Sequence, residues 1–532
     1  MGLLVCVAAS AIAVGTTACE APGPAPIGGT VSIAELSAPR TLFPVVEEGE
    51  LDAQLDGLLY LGLTQLEWSN GRLQSVAGPL ALATRWEFGP DSSTILFHLR
   101  PDTRWSDGMP LTAQDVVFSY ELYADSVAGS PRIRYVEEIA GVEALDDRTV
   151  AMTFRRPYPQ MLFHASLGIV PRHIYADADR ARLRAHPRVV EPGGGNLVVS
   201  GPFQVGSWKD RQELVLVPNP QSWVQPRVAR VVLRVLPEES TRRIELERGA
   251  VDVARLTSLS EARRLEENRE IRIERQPMRF YDYIGWSPSA RRYFADPEAR
   301  RALSLAIHRS EILEALDLTA YATPAGGPYP PIFADFQDPR VEPDPYRPDE
   351  AASILERLGA TDRDGDGIRE WDGEPMRFTL LTNAGNARRI AAAAILQAQL
   401  RRIGVAVEIR QIETAAFFQR LRERDFEAAL AGWSVALTPE LNVFRSDAAH
   451  LNFVAYSNPV FDSLFHLARA QPSAEAAAPY WREAAGVVAR DRPYAFLWFY
   501  DMIWGVRARV RGVRIDPLGA YQNLHEWYVV NP

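Results

Sequence analysis

The chain reads as short half-buried segments separated by turn chemistry. Ile95, Phe97 and Leu99 alternate with Thr94, His98 and Arg100, Leu96 being the exception, and this period of two predicts a strand with one apolar face. Ser106-Asp107-Gly108 predicts a turn, glycine supplying the positive φ that other residues resist. Thr112 with Asp115 three residues on predicts a capping box, and Val116, Val117 and Tyr120 follow at helical spacing. Further on, Asp296 caps a helix whose first residue is Pro297, with Ala299, Ala302, Leu303 and Ala306 on one face. A helix from about 388 to 403 stops at Gly404, and Val405, Val407 and Ile409 continue as a strand. Pro348 to Leu358, ended by Gly359, repeats the device, and helix-glycine-strand is the unit of a layered α/β domain. Leu51 to Leu66 reads as one helix, and Ala495 to Trp504, apolar but for Asp501 near its end, as one buried strand.

Composition narrows the class. A chain of 532 residues with 47% hydrophobic and 24% charged residues is long enough for several packed cores. Its net charge of −10 excludes the basic footprint of a nucleic-acid binder. Lys209 is the only lysine, so the positive charge is almost entirely guanidinium. The two cysteines lie at the N-terminus: Cys6 within the apolar run Leu3 to Ala18, and Cys19 at its end, before the proline-rich stretch at 20–27. A run of this length suits a signal h-region, and the small residues before Cys19 resemble a lipobox. The reading is therefore a lipoprotein-type signal at 1–19 with Cys19 as the lipid anchor; plain secretion and an uncleaved anchor are the alternatives.

Catalytic grammar is missing. The sequence contains no G-x-S-x-G elbow, P-loop, dinucleotide fingerprint or H-E-x-x-H pair, and its eight histidines are scattered. One metal-like motif stands out, Asp362, Asp364 and Asp366 at alternating positions followed by Gly367. It imitates a calcium loop, although position 12 is Gly373 rather than a bidentate glutamate. The expectation is either a structural Ca²⁺ site or a bare structural turn, with no other cofactor.

Several segments carry a resemblance. Pro79 to Tyr123, PLALATRWEFGPDSSTILFHLRPDTRWSDGMPLTAQDVVFSYELY, is similar to the signature of family 5 extracytoplasmic solute-binding proteins, the peptide- and nickel-type receptors of ABC importers. Tyr60-Leu61-Gly62-Leu63-Thr64, Pro202 to Trp208 with Asn219 and Trp223, and Arg248 to Val253 resemble further family segments in the same order. The resemblance implies an α/β, two-lobed periplasmic-binding-protein (Venus flytrap) fold with an extra subdomain in the first lobe. The first lobe would span 28–281, with its insertion at about 56–195, and the return at 505–532. The second would span 282–504, with ligand in the cleft between them.

Site residues follow from the matching segments. Glu47, Glu48 and Gly49 occupy the loop after the first strand, Trp433 and Glu440 the second-lobe loop, and Trp498 and Tyr500 the return toward the hinge. In peptide receptors of this family an aspartate three residues after the loop tryptophan meets the ligand amine; here Ala436 stands at that position. Glu440 is the carboxylate further along the loop that could replace it.

The expected function is capture of a solute, a peptide first, by a monomeric extracytoplasmic receptor anchored through lipid. It would deliver the solute to an ABC permease and its ATPase. A sensor receptor, a non-peptide solute (oligosaccharide, opine or chelated metal) and a secreted hydrolase are the competing readings.

Overall fold

The computed structural model describes residues 28–47, 49–69, 72–256 and 259–530. The signal run with Cys19, the linker and Glu48 lie outside the described residues. Two large sheets organise the chain. The first has seven strands in the order Ile271–Gln276, Met502–Arg507, Val253–Leu256, Thr30–Glu35, Arg230–Val235, Glu213–Pro218 and Phe203–Lys209. Its central strand Thr30–Glu35 pairs in parallel on both sides, and the outer pairs are antiparallel. The second has six, in the order Ala322–Pro324, Tyr494–Tyr500, Phe280–Trp286, Ala428–Ser434, Arg377–Asn383 and Ala406–Ile412.

Local grammar accounts for many of the elements. Strand Thr94–Leu99 buries alternate residues as its pattern dictates, and Gly108 takes φ +88°. Both halves of the Thr112–Asp115 capping box form at the start of Ala113–Ala124. Asp296 accepts hydrogen bonds from the N–H groups of Glu298 and Ala299 ahead of Pro297–Leu305. Gly359 and Gly404 follow Pro348–Arg357 and Ala387–Arg401 with φ +87° and +79°. A third sheet, Ala83–Phe88, Thr94–Leu99, Thr149–Phe154 and Ile139–Asp146, sits beside helix Ala113–Ala124. Its inner residues Ile95, Phe97, Val150 and Met152 join one continuous core with Val31, Ile33 and Leu233 of the seven-stranded sheet.

Two expectations fail. The helix expected over Leu51 to Leu66 is Glu50–Leu59, and Gln65–Ser69 is a strand of a hairpin with Arg72–Val76. Tyr60 to Leu63 are buried because they thread between packed elements, so apolar character did not mark helix there. The single strand expected over Ala495 to Trp504 is two strands in two sheets, Tyr494–Tyr500 and Met502–Arg507, parted at Asp501. The other crossing lies between Gln276 and Phe280. Each passage between sheets thus comes a few residues ahead of the 281/282 and 504/505 boundaries that the resemblance implies. Phe280 and Tyr281 already pair in the second sheet, and Met502 to Trp504 in the first.

The terminal segment is held by Asp252. This fully buried carboxylate accepts from Ser32 N–H at 2.9 Å and from Arg509 Nε and Nη2 at 2.5 and 2.8 Å. Replacing it strands a half-buried main-chain donor and a guanidinium that is partly screened by solvent. Asp252→Ala should cost about 2 kcal/mol in urea unfolding, while Ser446→Ala, on an exposed loop whose main-chain N–H alone bonds Asp462, should change little.

Candidate functional site

The two crossings put a cavity of about 380 Å³ between the large sheets. Its walls mix Glu50, Arg255, Met502 and Pro517 from one side with Phe280, Tyr321, Arg388, Ser434 and Tyr500 from the other, and the crossing residues Met278, Arg279 and Asp501 close it. A concave site of this size, walled by two bodies, suits a small ligand.

Its charged wall is built from strand Phe280–Trp286. Tyr281 and Tyr283 face one core of the six-stranded sheet, Ile284 and Trp286 the other, so Asp282 points with the second pair. The register of Tyr494–Tyr500 slips opposite Asp282 and Tyr283, a bulge that sends both Leu497 and Trp498 to this same core. Trp498 Nε1 consequently donates to Asp282 Oδ2 at 3.0 Å. Asp282 is fully buried and also receives Arg388 Nε at 3.1 Å and Arg389 Nε at 2.9 Å. Arg389 further donates to Asn383 Oδ1 at 3.1 Å. The Arg388 guanidinium lies 4.0 Å over the Tyr500 ring and borders the cavity. Gly432, directly opposite Asp282 in the neighbouring strand, has no room for a Cβ, which would sit 2.5 Å from Phe280 Cε1 and 2.7 Å from Asp282 Oδ1. Arg279 spans the crossing, donating from Nη1 to the Val435 carbonyl at 2.7 Å.

The residues expected from sequence scatter around this wall. Tyr500 borders the cavity; Trp498 lies behind it, fully buried, as the partner of Asp282. Trp433 is partly buried against the second sheet's core, stacked on Phe453 at 5.1 Å with Nε1 donating to Tyr494 Oη at 3.2 Å. Glu47 is buried in an ion pair with Arg132 at 2.5 Å; burial raises its pKa and raises that of its neighbour Asp56 well above the carboxylate range. Gly49 precedes helix Glu50–Leu59, whose first residue Glu50 does reach the cavity. Glu440 is engaged by Arg469 Nε at 3.2 Å and by Asn442 Nδ2 at 3.1 Å. Ala436 is exposed. Asp362, Asp364 and Asp366 gather with Glu370, their oxygens within 4.8 Å of one another. The same carboxylates accept from the N–H groups of Arg363, Gly365, Asp366, Gly367 and Ile368, which accounts for the turn.

Sequence reading missed Asp282, Arg388 and Arg389. A signal existed: two arginines in the first turn of Ala387–Arg401, the helix end that repels cations, with no acidic residue in that turn.

A second, outer cavity of about 630 Å³ lies where the Gln65–Ser69 hairpin and residues 158–163 face residues 333–336, 437–439 and 472–482. Trp68 meets Phe333 edge-on at 6.0 Å, and Arg72 Nη2 donates to Asp335 Oδ1 at 3.0 Å. Arg469 reaches Glu138 at 3.6 Å as well as Glu440, and Arg156 Nη1 donates to the Arg469 carbonyl at 3.1 Å. The two halves are therefore joined on this side too. Tyr158 hydrogen bonds His164 Nδ1, and burial, with Arg469 nearby, lowers the His164 pKa to about 4.

Compared with known proteins, residues 79–450 match the model of bacterial extracellular solute-binding proteins, family 5 middle. The chain is 25% identical to the oligopeptide-binding protein AppA of Bacillus subtilis, over 94% of this chain and 92% of that one. It is 28% identical to the periplasmic oligopeptide-binding protein OppA of Salmonella typhimurium, over 72% of each. The solved structure of the Bacillus subtilis protein with a nonapeptide superposes with a TM-score of 0.75 at 24% identity, covering 95% of this chain and all of that one. The fold is the two-lobed α/β fold of periplasmic binding proteins. No helix among the described residues is long and apolar enough to cross a membrane.

Two outcomes follow from the geometry. Gly432→Ala should unseat the Asp282–Arg389 pair and cost about 2–3 kcal/mol, read as a lowered urea midpoint; an unchanged midpoint would mean the strand relaxes around the methyl. His164 binds its proton less readily folded than unfolded, so its contribution is intact near neutrality. It is lost as pH falls from about 6.5, the unfolded value, toward about 4. Between pH 7 and 4.5 wild type should lose roughly 2 kcal/mol more than His164→Asn; equal losses would remove His164 as the cause.

Proposed function

The chain belongs to the bacterial extracellular solute-binding proteins of family 5, and on that premise we propose that it captures a peptide between its lobes and hands it to an ABC permease powered by an ATPase. The observation that carries this reading is the cavity at the crossings. It is walled by both lobes and offers Arg388, held at one end by Asp282 and stacked on Tyr500, to a ligand carboxylate. Ligand bridging both walls favours the closed arrangement by its contacts to each, and the closed form is what a permease can recognise.

The peptide assignment draws on the relatives, named as oligopeptide-binding proteins, one of them solved with a nonapeptide. The protein works as a binder rather than a catalyst, as a monomer, and is held at the outer face of the membrane by lipid on Cys19. Small residues before that cysteine and the apolar run preceding it support the anchor.

Native mass spectrometry of freshly purified protein, followed by denaturation, tests the solute. Released peptides are the expected result, and a single non-peptide compound would replace the peptide assignment while leaving the receptor role. Arg388→Gln should weaken peptide binding at least tenfold, the worth of a desolvated guanidinium–carboxylate bond. For the anchor, Cys19→Ser should move the protein from the membrane to the soluble fraction; an unchanged distribution rules lipidation at Cys19 out.

A further inference from the structure

The loop after strand Ala428–Ser434 borders both cavities: Ser434 lies on the one at the crossings, and Leu437, Thr438 and Pro439 lie on the outer one. Three residues of extended chain span at most ~10 Å, so the two spaces lie that close along a single strip of backbone. Ala436, between them, is exposed and small.

Their chemistry differs. At the crossings the cations are Arg255, Arg279 and Arg388, against Glu50 and Asp501. Asp501 is already taken by Arg275, through Nε at 3.0 Å and Nη2 at 2.6 Å, and Asp282 behind the wall divides its charge between Arg388 and Arg389. From Gly432 to Pro439 the loop holds no carboxylate, and Glu440 is tied to Arg469. The outer space is aromatic and balanced. Trp68, Phe88 and Phe163 face Phe333 and Phe336, and its charges offset: Arg72 pairs with Asp335, Arg482 donates to the Asp335 carbonyl at 2.9 Å, and Glu475 also lines the space. Phe88 is 51% exposed, an aromatic ring left half uncovered on the wall of this space.

We propose that the two cavities are the ends of one site and that its ligand is an amphipathic acid. A carboxylate would sit among the guanidiniums at the crossings, with an aromatic or aliphatic group about three extended residues away in the outer space. The proposal rests on the cavity at the crossings being the ligand site. It adds that a free amine is not required and that the distal apolar group contributes to affinity. A peptide ending in a free carboxylate and a non-peptide amphipathic acid share this chemistry.

Titration calorimetry of the mature protein separates the possibilities with five probes: Phe-Ala-Ala-Ala, its C-terminal amide, its N-acetyl form, Ser-Ala-Ala-Ala, and dodecanoate. The expected result is a loss of tenfold or more on amidation, less than threefold on acetylation, and tenfold or more when the distal Phe becomes Ser. Phe88→Ser, at a half-exposed position where folding is not at stake, and Trp68→Ala should each narrow the gap between the Phe and Ser peptides. Dodecanoate binding more tightly than the peptides makes the natural acid non-peptide; the reverse order makes it a peptide. If Arg388→Gln weakens every probe while the Phe and Ser peptides bind wild type alike, the outer end of the site is refuted and the inner end stands. A tenfold penalty for acetylation refutes the acid-only anchor. Failure of all five probes, or indifference to Arg388→Gln, refutes the cavity at the crossings as the site and this proposal with it.

Discussion

A carboxylate cut off from water decides how the cleft is built. Asp282 has no exposure, and an ionised group in that position is tolerated only when every side of it is matched. Matching it takes Arg389 from one helix, Arg388 from the same turn, and the Trp498 indole from a neighbouring strand that bulges to deliver it. Each partner then fixes something else. Arg388 holds its place on Tyr500 at the cavity, Arg389 reaches Asn383 at the end of its strand, and Gly432 is kept free of a side chain. Removing the ion pair for an apolar substitute could leave a stable core, as buried pairs often allow. It would not leave a guanidinium aimed at the cavity.

Joining the lobes at two places gives the closed arrangement its definition. At the crossings the chain passes through a few residues each way, Asp501 alone separating strands of different sheets. On the far side the contacts are side chain to side chain: Arg72 with Asp335, Arg469 with Glu138, and Trp68 with Phe333. Partly exposed ion pairs of this kind are individually weak and weaken further in salt. The covalent side is therefore fixed by the chain itself, and the far side by weak ion pairs together with Trp68, which packs against the second sheet's core at Phe333.

The fold was legible where local rules decide it. The capping box at Thr112, Asp296 before Pro297 and the glycines at 359 and 404 mark helix ends through groups within a few residues of one another. Sequence failed where burial is set from afar. Tyr60 to Leu63 and the run around Asp501 are apolar because other segments cover them, and hydrophobicity does not say which sheet does the covering. The charged wall was invisible for the same reason, since Asp282 and Arg388 stand 106 residues apart in the chain. Its one local trace was a pair of arginines at the wrong end of a helix, a placement that demands a distant anion. Among the aromatics, Tyr500 borders the cavity, whereas Trp433 is partly buried against the second sheet's core, where Phe453 and Tyr494 offer it a stack and an acceptor.

The outer cavity has walls from both lobes, and this has a kinetic meaning. In an open arrangement Trp68 and residues 72–75 would not face residues 333–336, so that space would have no walls to offer a molecule arriving from solution. Contacts a ligand made there would form after capture and be lost before release. Changes to its aromatic lining therefore act on how long a bound molecule dwells, and leave the rate of encounter to the charged end.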